Sequence, residues 1–351
     1  MLQLLLWLCT LLLSLPDVQP FQRHLLQKNV KTSTHALPEA MTVVSTLDVS
    51  SVDVLAAIGK ASTKAFNGGQ SGALAGGVQV LSLMWLRTTI NFQYRYGLNT
   101  TVALKTLWEE GGIRRLYQGL PFALLQGPLS RFGDTASNTL IFAFLEEADP
   151  TNIVPTFART GLASLSAGLW RIILLPIDTV KTSLQVNGEE GIDIVKKKIE
   201  NDGATILFNG ALASSAATFV GHYPWFLTYN LLSADLMTPQ EIIDQHVLIL
   251  SSLNPLILQL IRSAFIGLCA SSVSDVSSNS LRVLKTVRQT ADVGSEQAGG
   301  EFSYIAAAKD IIDKEGLKGL FGRGLQTKLI SNGIQSALFS VLYKYFSNTA
   351  K

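Results

Sequence analysis

The chain is poor in charge and in cysteine. Only 15% of its 351 residues are charged and 47% are hydrophobic, whereas about a quarter of the residues in a soluble protein are charged. Its two cysteines, Cys9 and Cys269, cannot build a disulfide framework or a metal cluster. The formal net charge of +2 is too small to indicate a nucleic-acid partner. We therefore expect a protein that lies in a lipid bilayer and needs no metal or other cofactor.

Six apolar stretches are long enough to be membrane-spanning helices. They contain many small residues, which allow transmembrane helices to approach each other closely. Six buried helices of a large soluble bundle would leave the low charge unexplained. Three amphipathic segments (100–108, 191–199 and 304–312) have apolar groups at helical spacing and should lie at the bilayer interface. The predicted spanning helices cover residues 67–92, 121–146, 156–184, 211–234, 255–287 and 325–347.

A ten-residue marker occurs three times, each time near the end of an apolar stretch. The middle copy, residues 176–185, reads Pro-Ile-Asp-Thr-Val-Lys-Thr-Ser-Leu-Gln. Residues 82–91 and 280–289 are degenerate copies that keep the basic residue but not the proline or the acid. A repeat of about 100 residues is too long for a solenoid unit and too short for two independent domains. Three helix pairs inside a membrane would explain it.

A second marker follows each copy of the first. In all three places a glycine precedes an aromatic residue by five positions, and another glycine follows shortly after. Glycine suits the tight backbone where a short surface helix turns back into the bilayer. The three glycine–aromatic–glycine sets are Gly112, Tyr117 and Gly119; Gly203, Phe208 and Gly210; and Gly316, Phe321 and Gly324.

Together the markers resemble the repeat motif of the mitochondrial carrier family, Pro-x-Asp/Glu-x-x-Lys/Arg followed by Glu/Asp-Gly-x-x-x-x-aromatic-Lys/Arg-Gly. The resemblance implies an all-α membrane protein with six transmembrane helices in three pseudo-repeats and short interfacial helices. It also implies a monomer in a lipid bilayer that moves a small-molecule solute by alternating access. The predicted repeats are residues 65–147, 155–234 and 255–347.

The family's matrix-side gate is incomplete in this sequence. In the family, the acid of one repeat pairs with the base of another, and each proline kinks its helix. Only the middle copy keeps proline, acid and base, because Met84 and Arg282 replace the other two acids. Three ion pairs cannot form from one carboxylate, so the surplus cations either attract anions or indicate that alternation is lost. The predicted gate residues are Arg87, Asp178, Lys181, Arg282 and Lys285, and the predicted kink is at Pro176.

The positions that contact substrate in the family carry polar and ionisable residues here. We expect Arg171 and Asp275, which come from equivalent positions of two repeats, to face the cavity and to pair when it is empty. Arg131 could instead snorkel at a helix end, and His222 could be structural. Cationic residues outnumber acidic ones in this set, which favours an anionic or zwitterionic metabolite such as a carboxylate, phosphate ester or amino acid. The predicted substrate-binding residues are Gln126, Arg131, Arg171, Thr218, His222, Asp275, Ser331 and Gln335.

Two other functions are alternatives to transport. An enzyme would need a nucleophile and base, or an acid–base set, and no spacing in the sequence supplies one. A carrier-fold protein that lost transport and serves as a tether or receptor is the stronger alternative, because the matrix-side gate is incomplete. The polar groups retained at the predicted cavity argue against it.

The N-terminal residues resemble a targeting leader. Residues 1–20 contain an apolar run of signal-peptide length, although no basic residues precede it. Residues 21–60 begin basic and hydroxylated, with no acid between Phe21 and Glu39, as in an organellar transit peptide. This order resembles the two-part leaders of algae with secondary plastids. It favours the plastid envelope, with the mitochondrial inner membrane as the alternative, and a signal anchor or an unprocessed tail would also fit.

Overall fold

The computed structural model describes residues 54–148, 156–236, 240, 254–291 and 304–335, and the regular elements in these ranges are all helical. Both leader segments lie outside the described residues, apart from the start of the first helix. The helices are α1 (Val54–Tyr96), α2 (Thr100–Leu116), α3 (Leu120–Ala148), α4 (Thr156–Ile173), α5 (Leu175–Asn187), α6 (Glu190–Asp202), α7 (Ala211–Asp235), α8 (Pro255–Thr290), α9 (Tyr304–Glu315), α10 (Leu317–Gly322) and α11 (residues 325–335), with a 3-10 turn at Ala204–Phe208.

The chain divides into two compact units. One comprises residues 1–53 and 144–159, and within it the structure describes only the end of α3 and the start of α4. The other comprises residues 54–143 and 160–351. All contacts described below lie within this second unit.

The long helices follow the predicted stretches, with two differences. Helix α1 begins at Val54, well before the expected start at residue 67, and α4 and α5 form a bent pair. By length and composition, residues 204–233 and α8 could each cross a membrane, and the bent pair of residues 159–173 and 175–187 could be a third span. The six-span arrangement therefore stays a prediction.

The bend coincides with the intact marker. The axes of α4 and α5 differ by 66°, and Pro176 stands in the first turn of α5. Proline has no backbone N–H and its ring clashes with the preceding turn, so a continuous helix cannot pass through it without bending. In contrast, α1 and α8 run unbroken past Ser82 and Ser280, where the other copies have lost the proline.

Small residues let the long helices approach each other. A Cβ on Gly168 would lie 2.8 Å from the Ser215 hydroxyl, and one on Gly221 would lie 3.0 Å from that of Ser274. Gly133 packs against the indole of Trp170, which leaves no room for a side chain. Larger residues would force these helices apart, as expected for close packing in a bilayer.

The glycines of the second marker have a common structural role. Gly112, Gly203 and Gly316 adopt φ values of 58°, 79° and 71°, which side chains disfavour. The later glycines also have positive φ, and each packs against the marker-bearing helix of the next repeat, which is α5, α8 or α1. An added Cβ would lie 3.0 Å from the Lys181 carbonyl at Gly119, 3.4 Å from the Lys285 carbonyl at Gly210, and 3.3 Å from the Ile90 carbonyl at Gly324.

Cationic side chains near the surface helices tie consecutive repeats together. Arg115, which ends the surface segment of the first repeat, donates to the carbonyls of Gln185 and Val186 at 2.9 and 2.6 Å. Lys198 of the second repeat reaches the Gln289 carbonyl at 3.5 Å. Arg323 of the third repeat donates to the carbonyls of Tyr94 and Arg95, both at 3.1 Å. These three carbonyl clips satisfy acceptors at helix ends that have no partner within their own helix.

Candidate functional site

A polar cavity lies among helices of all three predicted repeats. A larger chamber of about 440 Å³ and a smaller one of about 160 Å³ share five lining residues. The shared residues are Gln126, Arg171, Asp178, Arg282 and Lys285. All of them except Gln126 are charged, so the cavity is suited to a charged solute.

Asp178 is the centre of a hydrogen-bonded network at one end of the cavity. Its Oδ1 accepts from Lys181 Nζ at 2.5 Å and from Gln126 Nε2 at 2.6 Å. Its Oδ2 accepts from Lys285 Nζ, and Gln289 Nε2 lies 3.4 Å away. The carboxylate is 5% exposed, and it bridges the second and third repeats. One acid therefore forms two ion pairs of the predicted gate, one with Lys181 of its own repeat and one with Lys285 of the third repeat.

Between the first two copies of the ten-residue marker, the side-chain contacts are made by uncharged groups. Asn91 Nδ2 donates to Gln185 Oε1 at 2.5 Å, and Gln185 Nε2 lies 3.6 Å from the sulfur of Met84. Met84 occupies the position of the family's acid, so an amide contact stands where the family has an ion pair. We call the boundaries between repeats 1 and 2, 2 and 3, and 3 and 1 the first, second and third seams.

Arg171 is held in a second polar cluster. Its Nη1 donates to Ser130 Oγ at 2.7 Å, and its Nη2 donates to Asp134 Oδ2 at 2.6 Å. Within the described residues, Arg171 Nε and Asp134 Oδ1 are buried and have no hydrogen-bond partner. A buried polar atom without a partner is costly, so in this cluster Arg171 Nε can donate a hydrogen bond to a bound solute and Asp134 Oδ1 can accept one.

The expected pairing of Arg171 with Asp275 is wrong in this structure. Arg171 pairs with Asp134, which the sequence analysis did not single out. Asp275 instead accepts from Asn332 Nδ2, and its Oδ1 lies 3.6 Å from Arg282 Nη2. The physical reason is proximity: Asp134 reaches Arg171 from α3, whereas Asp275 is buried beside the partners supplied by α8 and α11.

The other predicted substrate-binding residues divide into two groups. Gln126, Thr218, His222 and Gln335 line one or both chambers. Ser331 is buried and accepts from Gln335 Nε2 at 3.0 Å, while the side chain of Arg131 lies outside the described set. All five predicted gate residues line the larger chamber, namely Arg87, Asp178, Lys181, Arg282 and Lys285.

Cations outnumber acids in the larger chamber. Its described lining contains six cationic side chains and only two acids, Asp134 and Asp178. The cationic residues are Arg87, Arg171, Lys181, Arg282, Lys285 and Lys328. Such a surplus inside a membrane protein creates a positive potential that attracts anions.

Several polar residues of this site were not predicted from the sequence. Asp134, Ser130 and Lys328 all line the larger chamber. Asp134 and Lys328 were detectable as single ionisable residues inside apolar stretches, because such residues in a membrane usually face a cavity. In the described part of the chain, no three or more His, Cys, Asp or Glu side chains are grouped so that they could hold a metal ion.

Long apolar helices, short amphipathic helices and a polar cavity between repeats are features of membrane solute carriers. The chain belongs to the mitochondrial carrier family, since the family model described as "Mitochondrial carrier protein" matches residues 154–239 and 258–351. The matched residues cover the predicted second and third repeats, while the first repeat lies outside the match. Carriers of this family move solutes across organelle membranes and span them several times.

Two curated relatives agree with this assignment. The chain is 25% identical over 145 residues to "Mitochondrial citrate transporter C" of Aspergillus niger, covering 38% of this chain and 45% of the relative. It is 22% identical over 152 residues to "Mitochondrial substrate carrier family protein D" of Dictyostelium discoideum, covering 38% and 44%. The chain therefore matches less than half the length of either relative.

Proposed function

We propose that the chain transports a small anionic or zwitterionic metabolite across an organelle membrane by alternating access. The observation that carries this proposal is the surplus of six cationic over two acidic side chains in the larger chamber. A surplus of this kind at membrane depth is costly unless an anion or water compensates it. One relative is named as a transporter of citrate, which is also an anion, and this supports the same substrate class.

The contacts of Arg171 suggest how a solute is bound. A carboxylate or phosphate oxygen that meets Arg171 Nε would fill its unused donor position without breaking the bond to Asp134. An ammonium group could at the same time be accepted by Asp134 Oδ1. The cluster is therefore compatible with both anions and amino acids, and the remaining cations of the chamber favour the more acidic ones.

The network at Asp178 suggests how binding is coupled to opening. Lys181 and Lys285 both bind this single carboxylate. An anion that enters the chamber competes with Asp178 for these two lysines. Competition weakens the second seam, and differential binding of this kind is what shifts a population between two conformations.

Transport by the wild-type chain is the direct test of this function. The full-length protein would be reconstituted into liposomes and assayed for exchange of labelled di- and tricarboxylates, phosphate esters and amino acids, with protein-free liposomes as control. We expect exchange of at least one anion. A properly inserted chain that exchanges none of these solutes would contradict the proposal and support the tether or receptor alternative.

We further propose six spans, two for each repeat, as the family implies. Helices α1 and α3, at 43 and 29 residues, exceed the roughly 20 residues that cross a bilayer. In that topology α6 and α9 lie on the side opposite the connection between α7 and α8.

Cysteine labelling tests this topology. Cysteines placed at the exposed positions Lys196 and Lys309 should react from one side of the membrane, and cysteines at Gln240 and Asn254 from the other. A chain in which Cys9 is replaced by serine keeps only the buried Cys269, which should stay unlabelled and provides the background. One span should separate Lys196 from Gln240, and another should separate Asn254 from Lys309. Labelling of all four sites from the same side would therefore contradict the six-span topology.

We propose the plastid envelope as the membrane concerned, with the mitochondrial inner membrane as the alternative. A reporter fused to residues 1–60 should enter an organelle, whereas one fused to residues 21–60 should fail to reach a secondary plastid. The reason is that the apolar run would be needed for the first translocation step. Imaging of both fusions gives the answer, and equal plastid import of the two would contradict a two-part leader.

A further inference from the structure

The ion pair between Arg171 and Asp134 leaves one polar atom unused on each side chain. Arg171 donates from Nη1 to Ser130 and from Nη2 to Asp134 Oδ2, and its Nε has no partner among the described residues. Asp134 accepts at Oδ2, and its Oδ1 likewise has no partner there. His222 is within electrostatic range of both groups, but it bonds to neither unused atom. The pair therefore offers one donor and one acceptor to a solute.

The unused oxygen distinguishes Asp134 from the other acid of the larger chamber. Asp134 and Asp178 are the two acids in its described lining. Asp178 binds Lys181 through Oδ1 and Lys285 through Oδ2, so both of its oxygens are engaged in ion pairs. Of these two described acids, only Asp134 therefore has an oxygen that a solute can use without competing with a lysine.

Both unused atoms belong to side chains that face the chamber. Arg171 and Asp134 line it, and their side chains are 26% and 30% exposed, respectively. The two atoms themselves are buried, but the terminal torsion of an aspartate is broad and arginine has several rotatable bonds, so small rotations can turn both atoms toward the chamber. Nε and Oδ1 lie on either side of a single 2.6 Å ion pair. Acid and amino groups on adjacent carbons of one small solute can therefore reach both.

Charge balance favours a solute that uses both atoms. An anionic group at Arg171 Nε would place two negative charges, its own and that of Asp134, on one guanidinium, and like charges at short range repel each other. An ammonium group on the same solute would bind Asp134 Oδ1 and balance the second negative charge. Hydrogen bonds between charged partners are also stronger than neutral ones, which favours an ammonium group over a hydroxyl group at this oxygen.

We propose that the solute is an α-amino acid whose carboxylate binds Arg171 Nε and whose ammonium group binds Asp134 Oδ1. This inference rests on the proposed function, because it narrows the substrate class of the same chamber. Asp134 is then the residue that selects for the amino group. A carboxylate with the same carbon skeleton but no amino group can bind Arg171, and it leaves Oδ1 unused.

Thermal unfolding of the full-length protein in detergent tests the selection for an amino group. The probes are three pairs of compounds that differ by the ammonium group alone: aspartate and succinate, glutamate and glutarate, and alanine and propionate. A ligand that binds only the folded state raises the melting temperature. In at least one pair, the amino acid should reach half-saturation at a concentration about tenfold or more below its partner, the effect of one hydrogen bond between charged groups.

Asp134→Asn should abolish this preference. The amino acid should bind about tenfold more weakly, because the charge that holds its ammonium group is lost. The partner without an amino group should bind as well or better, because the like charge of Asp134 is gone. Asp134→Glu keeps a carboxylate and should retain the preference. Asp310→Asn makes the same change at a partly exposed acid outside the chamber and should leave the preference unchanged.

The wild type alone decides the matter if Asp134→Asn fails to fold. Equal half-saturating concentrations within every pair would overturn the proposal, and so would the absence of a response to all six compounds. A preference for the amino acid that persists in a folded Asp134→Asn chain would also overturn it.

Exchange in liposomes separates this inference from the proposed function. A wild type that exchanges succinate, glutarate and propionate as readily as the matching amino acids would support the proposed transport and overturn the amino-acid site. A wild type that moves no solute, but binds an amino acid with a preference that Asp134→Asn abolishes, would contradict the proposed transport and still support the site.

Discussion

A chain in which Arg171 is replaced by alanine is expected to lose solute exchange by about 100-fold or more, the order of magnitude for the loss of a charge-assisted, bidentate contact in a desolvated site. Arg171 is shared by both chambers, and its Nε is buried without a partner in the described structure. Binding of a labelled anion and exchange in liposomes measure the effect. The protein should still insert, because the substitution removes a charge from the membrane.

Three variants separate a role in binding from a role in folding. Arg171→Lys keeps the charge but cannot form the two-pronged contact with Ser130 and Asp134, so exchange should fall less, by about tenfold. The double variant Arg171→Ala/Asp134→Ala removes the acid that would otherwise be left unpaired, and should recover stability but not exchange. Normal exchange by Arg171→Ala would show that the site is assigned wrongly.

Arg262 offers a matched control for this arginine. It also lies inside a long helix, but it donates to the carbonyls of Ser233 and Leu236 at the end of α7 and does not line either chamber. Arg262→Ala should therefore lower thermal stability and leave the KM for exchange unchanged.

Replacing Asp178 with asparagine is expected to give the largest loss of stability of any single change in the gate. The carboxylate binds Lys181 and Lys285 and also accepts from Gln126. Removing one partner from a buried ion pair costs about 3–5 kcal/mol, because the remaining charges are left uncompensated. The melting temperature in detergent should fall by about 5–10 °C.

The exposed pair Asp310–Lys314 provides the control for Asp178. Its side chains are 45% and 67% exposed, respectively, and exposed pairs contribute about 0–1 kcal/mol. Asp310→Asn should therefore shift the melting temperature little. Adding Lys285→Met to Asp178→Asn should recover part of the stability, since it removes one of the stranded cations. If Asp178→Asn and Asp310→Asn melt alike, Asp178 does not hold the second seam.

The repeat markers were predictable because they are local and their causes are simple. Glycine at residues 112, 203 and 316 is required by a positive φ, and this requirement leaves a pattern that sequence alone displays. The helices predicted at residues 100–108, 191–199 and 304–312 are also present in the structure. They were predictable because the apolar spacing of a helix is likewise a short-range signal.

The partners within the cavity could not be predicted in the same way. Counting from the markers places Arg171 and Asp275 at equivalent positions, but it does not say which neighbour reaches each side chain first. Asp134 reaches Arg171 from a different helix, and Asn332 reaches Asp275. The sequence predicted that one carboxylate, that of Asp178, is too few for the cations of the gate. It could not show that the two oxygens of this carboxylate bind lysines from two different repeats.

The three carbonyl clips have a mechanical consequence. Each runs in the same sense, from the surface segment of one repeat to the marker-bearing helix of the following repeat: Arg115 to α5, Lys198 to α8 and Arg323 to α1. The three clips together join the repeats into a closed ring. A tilt of α1, α5 or α8 must therefore pull on the surface segment of the repeat before it. The motions of the three repeats are coupled in this way, even though only one repeat keeps the full set of gate charges.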